Sequence, residues 1–163
     1  MVEDPVPVDD LRSALVIKLR HLGDVLLASP VFSVLKSRAP RAELDALVYA
    51  ESAPMLTGHP SISRVHCIDR AWRGLGMAAR LRAEWRLLSE LRARRYDLIV
   101  HLTEHWRGAW LARALGARWA VAPVVAARGG SWRRSFTHFV SEPRAGGRHV
   151  VERNLDALRR MGI

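Results

Sequence analysis

At 163 residues, 49% of them apolar and 26% charged, the chain has the size of one ordinary domain of about 100–200 residues and the composition of a globular protein, which excludes disordered and fibrous classes. Its longest uninterrupted apolar stretch, Trp119 to Ala127, is far short of the roughly 18 residues a spanning helix needs. The opening Met1-Val-Glu-Asp-Pro-Val-Pro-Val-Asp-Asp10 is acidic and proline-broken, unlike a secretion signal, so the expected location is cytoplasmic. A formal charge of +10 is carried by 24 Arg and only 2 Lys, and four of the 16 acids sit in the first ten residues, so the remainder is more basic still. That surplus has two readings: a coding preference for Arg spread over solvated helix faces, or an acidic partner such as a phosphorylated glycolipid, a nucleic acid or an anionic membrane surface.

In chain order, Ala14-Leu-Val-Ile-Lys18 reads as a strand, followed by a glycine turn and a long helical stretch from Val25 toward Arg38. Leu44 to Tyr49 is a second strand, Ala53 to Thr57 a short helix and Arg64 to Ile68 a third strand, with Gly58-His-Pro60 between the last two. Cys67 lies in that apolar run and reads as core packing; a single thiol builds no intrachain disulfide framework. Met77 to Arg95 is the clearest helix, because Met77, Leu81, Trp85 and Leu88 recur at helical spacing opposite Arg82 and Arg86; the stripe is expected to face the core. Tyr96 to Leu102 gives a fourth strand, Gly108 to Leu115 a helix and Arg118 to Ala122 a fifth strand. Arg128-Gly-Gly-Ser131 and Pro143-Arg-Ala-Gly-Gly147 are loop signals, and an amphipathic helix from about Val150 to Arg160 ends at Gly162. Strands alternating with helices, the strands nearly continuously apolar, imply an α/β domain with a mostly parallel sheet covered by helices on both faces.

Ligands of such sheets sit at the carboxyl ends of the strands, which directs attention to Lys18-Leu-Arg-His-Leu-Gly-Asp24. One glycine is too few for a dinucleotide fingerprint, and no Gly-Lys-Ser/Thr ending is present for a P-loop. What remains is a carboxylate, Asp24, at the mouth of the sheet and the start of a helix. It either caps that helix by accepting backbone N–H bonds or serves as a general base toward an attacking hydroxyl. His101-Leu-Thr-Glu-His105 matches a zinc-protease pattern, but that pattern works on a helix and here begins in a strand, so no metal is expected. Trp106 and Arg107 follow the same strand, an aromatic face and a guanidinium that suit a sugar ring and a phosphate, or a Trp packed under the sheet edge. Trp132-Arg-Arg-Ser-Phe-Thr-His138 reads as a glycine-flanked loop able to embrace a polar anion, with half its residues solvating or packing it.

These residues resemble the lipopolysaccharide heptosyltransferases of glycosyltransferase family 9, and within that family the type III subgroup. The likeness is carried by Val16-Ile-Lys-Leu-Arg-His-Leu-Gly-Asp-Val-Leu-Leu-Ala-Ser-Pro-Val31, Tyr96-Asp-Leu-Ile-Val-His-Leu-Thr103, Trp132 to His138 and His149-Val-Val-Glu-Arg-Asn-Leu155. The resemblance implies the Rossmann-like N-terminal domain of a two-domain GT-B glycosyltransferase: an acidic flexible lead over 1–12, an acceptor-binding domain over 13–163, and a donor domain beyond it, without which the chain is expected to be inactive.

By the same resemblance Asp24 is the base of an inverting, metal-independent transfer from ADP-heptose to a heptose of the inner core, with no cofactor. Arg20, His21 and Gly23 would line the cleft; Thr103, Glu104, Trp106, Arg107, Arg134, Ser135 and His138 are the further substrate-binding candidates. Many family members carry an acidic residue and a Gln-Gly pair where this chain has His101-Leu-Thr-Glu104, so the pattern does not by itself carry over to Thr103 and Glu104. The implied partners are the anionic inner-core acceptor and, peripherally, the inner face of the inner membrane; nucleic acid is not expected. Two other readings stand beside this one: a stand-alone Arg-rich module for nucleic acid or anionic lipid, and the same family with a different donor sugar.

Overall fold

The computed structural model describes residues 5–125, 129–141 and 149–163. Among them, six strands form one sheet: β1 Ser13–Ile17, β2 Glu43–Tyr49, β3 Arg64–Ile68, β4 Leu98–His101, β5 Trp119–Pro123 and β6 His138–Val140. Every pairing is parallel and the order is β3-β2-β1-β4-β5-β6. The chain builds outward from β1 to β3, then returns to the other side of β1 with β4. Loops leaving β1 and β4 therefore diverge, and a crevice opens between them.

Alternate strand residues point to opposite faces, which splits the core in two. Ala14, Val16, Leu44 and Ala46 meet α2 (Ser29–Arg38) and α6 (Val150–Arg159) on one side. Leu15, Ile17, Leu47 and Ile99 meet α3 (Met77–Ala93) and α4 (Trp106–Leu115) on the other. Two short helices, α1 (Leu22–Leu26) and α5 (Gly130–Arg133), follow β1 and β5.

The structure departs from the sequence expectations at several points. The helical stretch through Arg38 is broken at Leu27–Ala28, and Pro30, which lacks an N–H, sits in the opening turn of α2 where none is needed. The short helix near Ala53 is a 3-10 helix over Ala50–Leu56. His138–Val140 is a short edge strand rather than the end of a loop. The apolar stripe of α3 faces the core only at its end: Leu88 packs half-buried beside buried Leu87 and Leu91, whereas Met77, Leu81 and Trp85 are 73%, 53% and 65% exposed. The helix packs through its C-terminal half. The acidic lead is packed from Pro5 onward, because Val6 and Leu11 are buried in the α2/α6 core and the Val6 N–H donates to the Met161 carbonyl. Residues 1–4, Arg128 and Pro143–Gly147 lie outside the described residues.

A charged knot pins α3 to the sheet. Asp45 of β2 is fully buried and accepts from the Arg94 guanidinium, from the Tyr96 hydroxyl at 2.7 Å and from His66 at 3.3 Å. Burial would raise this carboxyl, but the three donors outweigh it and hold it down at about 2. Its contribution to stability is present above the ordinary carboxylate range and is lost as pH falls from about 4 toward 2. Replacing Asp45 by Asn removes the buried one of Arg94's two charge partners and leaves only Glu43 at the surface. Denaturant unfolding at neutral pH should show a loss of about 1–3 kcal/mol, and the variant's stability should fall less steeply than the parent's below pH 4.

Candidate active site

The crevice at the carboxyl ends of β1 and β4 is a cleft walled by Lys18, Arg20 and Asp24 on one side and Leu102, Thr103 and Glu104 on the other. Arg153, Asn154 and Asp156 of α6 close it, and Pro123 and Val140 also line it. Its position follows from the strand order, and its polarity from three short segments that each supply charged or hydroxyl groups.

Asp24 lies in the first turn of α1, but it does not cap the helix. His21 occupies the N-cap position, no side chain makes the cap bond, and the Asp24 carboxylate accepts no hydrogen bond among the described residues. It is half-buried and faces the cleft. An anion in the first turn is favoured by the exposed N–H groups there without being used up by them.

Lys18, one of the chain's two lysines, was not singled out from the sequence. It is 6% exposed, and its ammonium donates to the Leu102 carbonyl at 3.2 Å and to Asn154 Oδ1 at 2.9 Å. Asn154, also buried, donates through Nδ2 to the Leu27 carbonyl at 3.0 Å, where α1 ends. Burial lowers the Lys18 pKa to about 8; the Asp24 carboxylate opposes that shift, and Arg20 and Arg153 add to it. The signal that could have found Lys18 is a lone lysine closing an apolar strand run. Asn154 gave no such signal, since a polar residue on an amphipathic helix is ordinarily solvated.

Thr103 is buried, and its hydroxyl has no hydrogen-bond partner among the described residues, an arrangement that suits a ligand oxygen. Glu104 is exposed at the rim. Arg20 lines the cleft as expected, whereas exposed His21 and Gly23 belong to the same turn but not to its lining.

The other candidates lie elsewhere. Arg107 is bound to the Glu84 carboxylate of α3 at 2.5 and 2.6 Å, on the opposite face of the sheet. Trp106 meets Trp132 edge-on at 5.6 Å. The Trp132–His138 stretch packs rather than embraces: Trp132 and Phe136 are buried around the His101 ring, which stacks on Phe136 at 5.5 Å. His138 is buried at the start of β6, and Arg134 and Ser135 precede it; none of the three lines the cleft. His101 closes β4 and His105 is the N-cap of α4, so the zinc-like pattern is divided between strand and helix. Burial holds the His101 pKa down at about 3, leaving a neutral aromatic plate. A Cβ at Gly108 would stand 2.0 Å from that ring, so α4 can lie this close to β4 only with glycine there.

The juxtaposition of Lys18 with Asp24 is open to direct measurement. With lysine labelled at Cε, two carbon resonances are expected, one titrating near pH 8. Asp24→Asn removes the carboxylate that raises the Lys18 pKa, so that titration should move lower; an unmoved midpoint would contradict the arrangement.

The sequence profile of glycosyltransferase family 9 (heptosyltransferase) matches residues 84–161. Over 146 residues the chain is 38% identical to lipopolysaccharide heptosyltransferase 3 of Escherichia coli K12, covering 89% of this chain but only 41% of that protein. Among solved structures, a family 9 glycosyl transferase of Veillonella parvula superposes with a TM-score of 0.79 at 21% identity, over 97% of this chain and 43% of that one. An E. coli heptosyltransferase, WaaC, solved with ADP-2-deoxy-2-fluoro heptose, gives 0.74 at 23%, over 92% and 48%. The chain thus spans less than half the length of the relatives it matches.

Proposed function

We propose that this chain, whose residues 84–161 match the profile of glycosyltransferase family 9, is the acceptor-side half of a heptosyltransferase, in which Asp24 acts as the general base. The observation that carries the reading is the Asp24 carboxylate itself, facing the switch-point cleft and accepting no hydrogen bond among the described residues. In the proposed reaction an acceptor heptose hydroxyl gives its proton to Asp24. Its oxygen forms a bond to the anomeric carbon of ADP-heptose as the bond from that carbon to the diphosphate oxygen breaks, and ADP leaves with the electron pair. Attack from the face opposite the leaving group inverts the anomeric centre, and no metal or cofactor is needed for the proton transfer.

The donor comes into the proposal from two likenesses, the heptosyltransferase relatives and the solved relative carrying an ADP-heptose analogue. The donor pocket is assigned to a second domain, because solved relatives are more than twice as long as the part this chain matches. Within the cleft, Lys18 and Asn154 hold the loop after β1 and the end of α1 in register, which fixes where Asp24 points. Thr103 offers its hydroxyl to the acceptor, and Arg20 offers an exposed guanidinium to an acceptor phosphate. We place the protein on the cytoplasmic side, at the inner face of the inner membrane, where such an acceptor is assembled. Among the described residues no helix is long and apolar enough to cross a membrane.

In the complete enzyme Asp24→Ala should lower turnover by at least about a hundredfold with the circular dichroism spectrum unchanged; near-parent turnover would remove Asp24 from the chemistry. Supplying other nucleotide sugars to the same enzyme tests the donor. A second expectation concerns charge: acceptor KM should rise with ionic strength, and Arg20→Ala should raise KM and flatten that dependence while leaving kcat largely intact.

A further inference from the structure

The first half of α3 and the outer side of α4 carry a large apolar surface that neither core absorbs. Leu75, Met77, Leu81, Trp85 and Trp110 are between 46% and 73% exposed. Between the two helices runs a groove of about 210 Å³, floored by Leu88 and Leu111, walled by Leu81, Trp85 and Trp110, and broken by a single polar element, the Arg107–Glu84 ion pair. A contiguous apolar patch of this kind on an otherwise charged protein marks an interaction surface.

The charges around it are one-sided. Arg73, Arg80 and Arg113 are exposed and make no ion pair among the described residues. The neighbouring acids are occupied: Glu84 by Arg107, Glu90 by Arg86, Glu51 by Arg70, and Asp69 by the Ala71 N–H. What remains is indole, leucine and methionine rimmed by uncompensated guanidinium groups. That combination matches a lipid headgroup layer, where apolar side chains enter the acyl boundary and cations meet phosphate.

Two other occupants fit less well. A second copy meeting the same face would bring arginine against arginine. A nucleic acid would gain from the indoles but find an aliphatic floor where bases need polar partners. The patch also begins at the edge of the sheet that carries the cleft, since Met77 opens α3 beyond β3 and Trp106 opens α4 beyond β4.

We propose that the α3–α4 face docks onto an anionic lipid bilayer, with Leu75, Met77, Leu81, Trp85 and Trp110 entering the interface and Arg73 and Arg80 contacting lipid phosphates. This gives the membrane contact of the preceding section a place on the molecule, and rests on that reading only for the acceptor's location, not on Asp24 or the identity of the sugar.

The test is flotation of the 163-residue chain with vesicles of phosphatidylcholine alone or mixed with phosphatidylglycerol. Binding is expected to the mixed vesicles, and Met77→Ser/Leu81→Ser/Trp85→Ser should weaken it at least about tenfold. Arg73→Gln/Arg80→Gln should weaken it as well and reduce its salt sensitivity. Brominated acyl chains should quench tryptophan emission, and the quenched fraction should fall in Trp85→Phe and Trp110→Phe, variants that keep the bulk of the ring. Absence of flotation with the parent chain, or equal flotation of the triple-serine variant, would overturn the proposal. A dimer in sedimentation that the triple variant dissolves, without vesicle binding, would assign the face to a protein contact instead. Asp24→Ala should float like the parent, which separates failure here from failure of the catalytic reading.

Discussion

The Lys18 ammonium donates to the Leu102 carbonyl after β4 and to Asn154 on α6, and Asn154 in turn donates to the Leu27 carbonyl at the end of α1. Four segments distant in sequence are thereby tied at the point where the sheet changes direction. Burying a cation without an ion-pair partner is unfavourable, and the lowered Lys18 pKa records that cost. The arrangement persists because two oxygens satisfy it and a carboxylate stands within electrostatic range. Remove the ammonium and α6, α1 and the loop after β4 lose their common anchor.

The rest of the cleft follows from this tie. Asp24 rides on a five-residue helix that has little stability of its own. Its orientation is therefore set by what holds the ends of that helix, the Ser52 hydroxyl on the Arg20 carbonyl before it and Asn154 after it. A short helix clamped at both ends presents a side chain more reproducibly than a free loop, and leaves the carboxylate unspent.

Much of the fold was legible in the sequence because parallel strands buried on both faces are nearly continuous apolar runs, as in Ala46–Tyr49 and Leu98–Val100. What was illegible has identifiable causes. β6 is three residues long, and its lead-in interleaves exposed Arg133 and Arg134 with buried Trp132 and Phe136, so its apolar signal is short. The stripe on α3 has ideal helical spacing, but spacing reports which residues share a side of a helix, not what lies opposite that side. At the site, the choice between a capping and a free Asp24 depended on whether backbone N–H groups met its oxygens, which periodicity cannot show. Arg107 and Trp106 stood one step past a ligand-facing strand end, yet one turned to Glu84 and the other to Trp132, because the start of α4 is packed by its neighbours on the far side of the sheet.

The contact between His101 and Gly108 has a reach beyond this chain. An imidazole plate occupying the space that a methyl group at position 108 would fill makes the two positions a single volume shared between a strand and a helix. In descendants of this fold the pair is free to drift only in concert: a bulkier helix position demands a smaller strand residue, and the ring can be kept only while its neighbour stays bare. Seven residues apart, the two sites would thus leave a correlated footprint among related sequences that neither would show alone.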